Sequence, residues 1–108
     1  MRELNVISAP ALKHLIDSGR SITLIDVREP SEYALCHIAG SRLIPLGDLA
    51  NHVAELDVNA DHIIYCHIGE RSAYAVAYLT KCGFKNVRNL QGGIDAWAEK
   101  VDSSMPRY

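Results

Sequence analysis

The sequence predicts an α/β domain built on a parallel sheet, and three observations carry that prediction. Short runs rich in β-branched residues alternate with amphipathic stretches along the whole chain. "SITLIDVR" (21–28) has the continuous apolar character of a strand covered on both faces. With 108 residues, 48% of them hydrophobic, and no internal repeat or low-complexity stretch, residues 1–108 read as a single domain with one core.

Val6-Ile7 forms a short first strand. Ser8 then offers an N-cap, Pro10 sits in the first turn, and Leu12, Leu15 and Ile16 recur at helical spacing up to Gly19. "SITLIDVR" is the second strand and ends at Asp26, at the edge where ligand sites of open α/β sheets lie. Pro30 and Ser31 open a short helix through Tyr33 and Leu35. Leu43-Ile44 is a brief third strand, Asp48 a candidate N-cap, and Leu49, Val53 and Leu56 a helical stripe. "HIIYC" (62–66) is the fourth strand, Ser72 to Cys82 the next helix with Gly83 as its closing glycine, and "NVRNL" (86–90) the fifth strand. Gly92-Gly93 turns into a last helix, with Trp97 and Phe84 assigned to the core.

Composition removes several classes of function. Net charge is −2 and the 11 Lys and Arg are scattered, so no basic stripe points to nucleic acid. Met1-Arg2-Glu3-Leu4 mixes charges without an apolar segment, and no run approaches the roughly 18 apolar residues of a membrane span. A soluble cytoplasmic protein is expected. The odd count of three cysteines argues against a disulfide framework. Cys36-His37 and Cys66-His67 are adjacent pairs whose side chains diverge on extended backbone, and no C-x-x-C or H-x-x-x-H spacing occurs, so no metal is expected.

The chemistry concentrates in "YCHIGERS" (65–72). Cys66 ends a buried strand just before a helix N-terminus, where unpaired N–H groups and about half a positive charge favour an anion. A thiol there is expected to have a lowered pKa. Gly69 permits the dihedrals that let successive amides turn inward around the sulfur. A cysteine at a strand end is, by position alone, more often a small buried hydrophobe, and it is the glycine, arginine and serine that follow which favour a nucleophile. Cys-x5-Arg loops hold phosphate dianions, whereas Cys-x4-Arg loops hold a single sulfur atom. Cys66 to Arg71 leaves four residues between, which puts a phosphatase or arsenate reductase behind a sulfur-handling enzyme.

Taken together, "LIDVREPSEY", "HIAGS" leading to "IPL", "YCHIGERS" and "GFKNVRNLQGGIDAW" resemble the motifs of a single rhodanese domain nearly end to end. The resemblance implies a three-layer α/β/α fold with five parallel strands in order 3-2-4-5-1, whose switch point lies between strands two and four. It implies a sulfurtransferase in which Cys66 takes sulfur from thiosulfate or a persulfide donor and passes it to a thiol, cyanide or protein acceptor, with no metal or organic cofactor. The amides of His67, Ile68, Gly69, Glu70, Arg71 and Ser72 would then stabilise the anionic persulfide.

Arg71 either binds the donor dianion or pairs with Asp26 or Glu70. Asp26 and Arg28 either brace the loop or form a solvated ion pair at the sheet edge. His67 is substrate-facing or merely exposed, and Ser72 is read as a helix cap that also offers its hydroxyl to the sulfur.

Cys36 stands where the family often has glycine, as a packed side chain or a resolving thiol. Glu32 stands where two-domain thiosulfate enzymes tend to carry arginine; with Glu70 it adds negative charge that would repel thiosulfate. "AWAEKVDSSMPRY" resembles the tail of rhodanese domains fused to adenylyltransferases, which implies a ubiquitin-like sulfur carrier as a further acceptor. A non-catalytic interaction module is the competing class; the presence of Cys66 argues against it.

Overall fold

The computed structural model describes residues 5–108, so the stretch Met1 to Leu4 lies outside it. The elements in chain order are β1 (Val6–Ile7), α1 (Ala9–Asp17), β2 (Thr23–Asp26), α2 (Pro30–Leu35), β3 (Arg42–Leu43), α3 (Leu49–His52), β4 (Asp61–Tyr65), α4 (Glu70–Lys81), β5 (Asn86–Leu90) and α5 (Gly93–Lys100), with a 3-10 turn on each side of α3. The strands form one sheet, β1-β5-β4-β2-β3, in which every neighbouring pair is parallel. This is the expected order. The register sets Asp26 beside Tyr65 and Ile64 beside Asn89, so the C-terminal ends of β2, β4 and β5 gather at one edge.

β4 is central, and its period of two divides the core. Ile64 and the following Cys66 face Leu49 of α3 and Ala75, Val76 and Leu79 of α4. Ile63 and Tyr65 face Ala9 and Leu12 of α1 and Ile94 and Trp97 of α5. Each fully buried Leu or Ile in these layers contributes about 1.5–3 kcal/mol. Phe84 and Trp97 are core residues, as their sequence context suggests. No helix among the described residues is long and apolar enough to cross a membrane.

The helix starts follow local chemistry. Ser8 Oγ accepts the Ala11 N–H at 3.2 Å, capping α1. α2 uses a capping box in which Glu32 accepts the Glu29 N–H at 3.0 Å. Asp48 makes no side-chain cap, because residues 46–48 already turn as a 3-10 helix and leave it with helical dihedrals (φ −102°, ψ −4°) where a cap needs extended ones. α4 begins earlier than expected, at Glu70, and its N-cap is Gly69 rather than Ser72. The loop turns into the helix through a φ of +112°, which glycine adopts readily and serine does not.

Candidate active site

The loop after β4 folds around the Cys66 sulfur. Gly69 N–H and Ser72 N–H both donate to Sγ, at 3.2 and 3.3 Å, and Ser72 Oγ lies 3.3 Å away. Of the six amides expected to serve the sulfur, these two reach it. Cys66 is only 1% exposed. A purely apolar buried cysteine would not gather N–H donors from its own loop; this sulfur sits where negative charge is stabilised. Surface hollows of about 380 and 420 Å³ are lined by other residues, and Cys66 borders neither.

The carbonyl side of the same loop is held by α5. Ile94 N–H donates to Cys66 O at 2.9 Å and Asp95 N–H to His67 O at 3.1 Å. These are orphan donors of a helix N-terminus, so amides of α4 serve the sulfur while amides of α5 serve the backbone behind it. Gly93 makes the approach possible: a Cβ there would lie 2.3 Å from His67 O, and its φ is +62°.

Asn89 at the end of β5 completes the support. Its Nδ2 donates to Gly69 O at 3.0 Å, and because that carbonyl can only accept, the amide orientation is fixed. Oδ1 therefore faces Ser72, whose hydroxyl donates to it at 2.6 Å. With Cys66 as a thiol, S–H donates to Ser72 Oγ and Ser72 O–H donates to Asn89. With Cys66 as a thiolate, the Ser72 proton is free to turn toward sulfur. The hydroxyl is thus an adjustable third donor beside two fixed amides.

Two arginine pairs border the loop. Arg28 Nε and Nη2 grip Asp26 at 2.6 to 3.1 Å, both side chains being fully buried. The Arg28 guanidinium also donates to Cys36 O (2.7 Å) and Tyr108 Oη (2.8 Å). Burial opposes its charge, yet the hydrogen bonds with Asp26 and Tyr108 hold its pKa above the ordinary value. Arg71 instead meets Glu32 through both nitrogens, at 2.7 and 3.0 Å. That guanidinium, with help from the Glu29 N–H and the Tyr108 hydroxyl, holds the Glu32 pKa down to about 2. The Arg71 pKa is raised, through Glu32 first and with a smaller contribution from the Cys66 sulfur.

The family described as the rhodanese-like domain matches residues 8–100. The chain belongs to the rhodanese-like family. It is 41% identical over 106 residues to "Probable adenylyltransferase/sulfurtransferase MoeZ" of Mycobacterium tuberculosis, covering 96% of this chain and 27% of that protein. The domain thus spans about a quarter of that larger relative. It is 35% identical to "Thiosulfate sulfurtransferase GlpE" of Pseudomonas paraeruginosa, covering 79% of this chain and 76% of that one. The crystal structure of a rhodanese-related protein from Thermoplasma volcanium superposes with a TM-score of 0.81 at 34% identity, covering 90% of this chain and 93% of the other.

Within this rhodanese-like domain, several expectations need correction. Arg71 pairs with neither Asp26 nor Glu70, because α2 carries Glu32 across the mouth into its reach. The Asp26–Arg28 pair is not solvated: both side chains are fully buried, and they brace the Cys36 backbone and the C-terminal Tyr108 rather than residues 66–72. His67 is not merely exposed, since its ring stacks on Tyr108 with centroids 4.0 Å apart. Ser72 does not cap α4, but it does offer its hydroxyl near the sulfur. Ile68 and Glu70 point outward.

Cys36 adopts extended backbone (φ −166°), so that turn needs no glycine, and its Sγ meets Pro106 O at 3.5 Å. Cys82 is a free thiol at the opposite end of α4 from the loop. Among the described residues no cluster of three or more His, Cys, Asp or Glu is placed to hold a metal. Asn89, Gly93 and Tyr108 are site residues that sequence reasoning missed. A polar residue near the end of a buried strand and a double glycine were their visible traces.

Proposed function

We infer that this domain is a sulfurtransferase working through a persulfide on Cys66. The observation that carries the reading is the sulfur's pair of loop amides, Gly69 and Ser72, at 3.2 and 3.3 Å. The Cys66 thiolate attacks the outer sulfur of the donor. In thiosulfate the S–S bond breaks, sulfite leaves with its electron pair, and a new S–S bond leaves the persulfide anion on Cys66. Charge is conserved, three negatives before and three after. The two fixed amides, joined by the Ser72 hydroxyl once it turns toward the sulfur, then stabilise the anionic persulfide. A thiol, cyanide or protein acceptor attacks the terminal sulfur and regenerates the thiolate, a covalent route in two easier steps. The likeness to an adenylyltransferase/sulfurtransferase, together with the tail "AWAEKVDSSMPRY" that resembles such fusions, supports a ubiquitin-like sulfur carrier as one such acceptor.

Intact mass after incubation with thiosulfate or cysteine persulfide tests this. The wild type should gain one sulfur atom, reversed by cyanide, and Cys66→Ser should gain none. A wild type that loads no sulfur from either donor would overturn the reading and leave the loop formed but idle.

A further inference from the structure

Arg71 is the loop's own cation, and it does not face the sulfur's approach unencumbered. Glu32 takes both of its nitrogens. Glu32 is in turn held by two other groups: the Glu29 N–H donates to Oε1 at 3.0 Å and the Tyr108 hydroxyl to Oε2 at 2.7 Å. Its carboxylate therefore has little freedom to swing away. The neighbouring arginines are occupied as well, Arg28 by Asp26 and Arg107 by Asp95, whose backbone N–H meets the loop carbonyl of His67. Glu70 adds an exposed negative charge in the loop itself.

We propose that Glu32, positioned by Tyr108, is a specificity-determining residue that clamps Arg71 and selects against dianionic sulfur donors in favour of donors of low net charge, such as a small-molecule or protein persulfide. The proposal rests on the sulfurtransferase reading and names the donor class of that site. A dianion arriving at the mouth meets the exposed charge of Glu70 and finds Arg71 already neutralised by Glu32, so its approach is opposed electrostatically. A persulfide donor R–S–SH carries one negative charge or none at its reacting group and needs no cation clamp. The Cys66 thiolate attacks its outer sulfur, a new S–S bond to Cys66 forms as the donor's S–S bond breaks, RS⁻ leaves with the electron pair, and the proton stays on the transferred sulfur. Glu32 touches neither donor nor Cys66; it acts through Arg71 and is a positioning residue.

The test compares thiosulfate with cysteine persulfide, cyanide being the acceptor, in the wild type, Glu32→Gln and Tyr108→Phe. Glutamine keeps the capping-box acceptor for the Glu29 N–H, so α2 retains its start. Glu32→Gln should lower KM for thiosulfate by about tenfold with kcat little changed, as expected when one negative charge is removed and one positive charge released near a surface site. The cysteine persulfide parameters should move by less than about twofold, a donor of low charge sensing the field weakly. Tyr108→Phe keeps the ring stack, leaves α2 untouched and should shift thiosulfate the same way by less. If both donors change together, Glu32 is merely structural and the proposal is overturned. It is equally overturned if thiosulfate KM stays put or rises in Glu32→Gln while the wild type loads sulfur. A wild type that loads no sulfur from either donor removes the sulfurtransferase reading and this proposal with it.

Discussion

Asp26–Arg28 and Glu32–Arg71 are the same chemical pair placed at the same end of the sheet, six residues apart along the chain on the carboxylate side. The first is shut away, with neither side chain exposed. The second keeps 36% of Arg71 and 19% of Glu32 in contact with solvent. Burial makes the first pair a fixed structural joint, since neither charge can leave its partner without being stranded in a low-dielectric interior. Partial exposure makes the second the weaker pair, because solvent screens its charges, and its geometry rests on the Glu29 N–H and Tyr108 hydroxyl that also hold Glu32. The Tyr108 hydroxyl joins the two, accepting from Arg28 and donating to Glu32. A rigid pair thus anchors the group that helps position a softer one beside the reactive sulfur.

Breaking the buried pair should have the largest effect. Asp26→Ala strands the Arg28 guanidinium and is expected to lower unfolding free energy by about 3–5 kcal/mol, read from urea denaturation. Replacing both partners, Asp26→Leu with Arg28→Met, should recover most of that loss, because no unpaired charge remains. Recovery of none of it would mean that the bonds to Cys36 O and Tyr108 matter more than the charge pair.

The exposed pair should respond far less. Glu32→Gln is expected to lower stability by about 0.2–1 kcal/mol, within the range of partly solvated pairs. A loss as large as that of Asp26→Ala would erase the distinction drawn between the two.

Acid sharpens the comparison further. The folded state holds the Glu32 pKa at about 2 against an ordinary 4.5. A carboxyl whose folded pKa is depressed contributes stability that is present above its unfolded pKa and lost as pH falls toward the folded one. The stability gap between wild type and Glu32→Gln should therefore be level above about pH 5 and close as pH falls from 4.5 toward 2. A gap that persists unchanged at pH 2 would assign the difference to packing instead of charge.

Much of this was legible in sequence. The apolar run ending at Asp26, the spacing of Leu12, Leu15 and Ile16, and the glycine after Cys82 each state a local preference that the fold keeps. Cys66, Gly69 and Ser72 were legible as a site because seven consecutive residues carry the whole motif. Asn89 and Gly93 were not, and Glu32 was legible as a charge at the mouth but not as the partner of Arg71, for a shared reason. Parallel crossovers bring them to the loop from strands and helices 17 to 39 residues away, a separation with no periodic trace. Ser72 was misread as a cap because capping preference favours serine, whereas the loop's reversal needed the positive φ of Gly69 at that boundary. The pairing of Asp26 with Arg28 was anticipated, but its depth was not, since burial depends on what covers the edge.

The suspension of residues 66 and 67 from the first amides of α5 has a further consequence for how the molecule breathes. The N–H groups of Ile94 and Asp95 bond to the very peptide units that carry the nucleophile, and Gly93 leaves no room for slack between them. Fraying of the first turn of α5 and loosening of the Cys66 loop are then one opening event, in which these amides and those of Gly69 and Ser72 exchange with solvent deuterium at a common rate. Reactivity would be lost in that local opening, well before the sheet itself gives way.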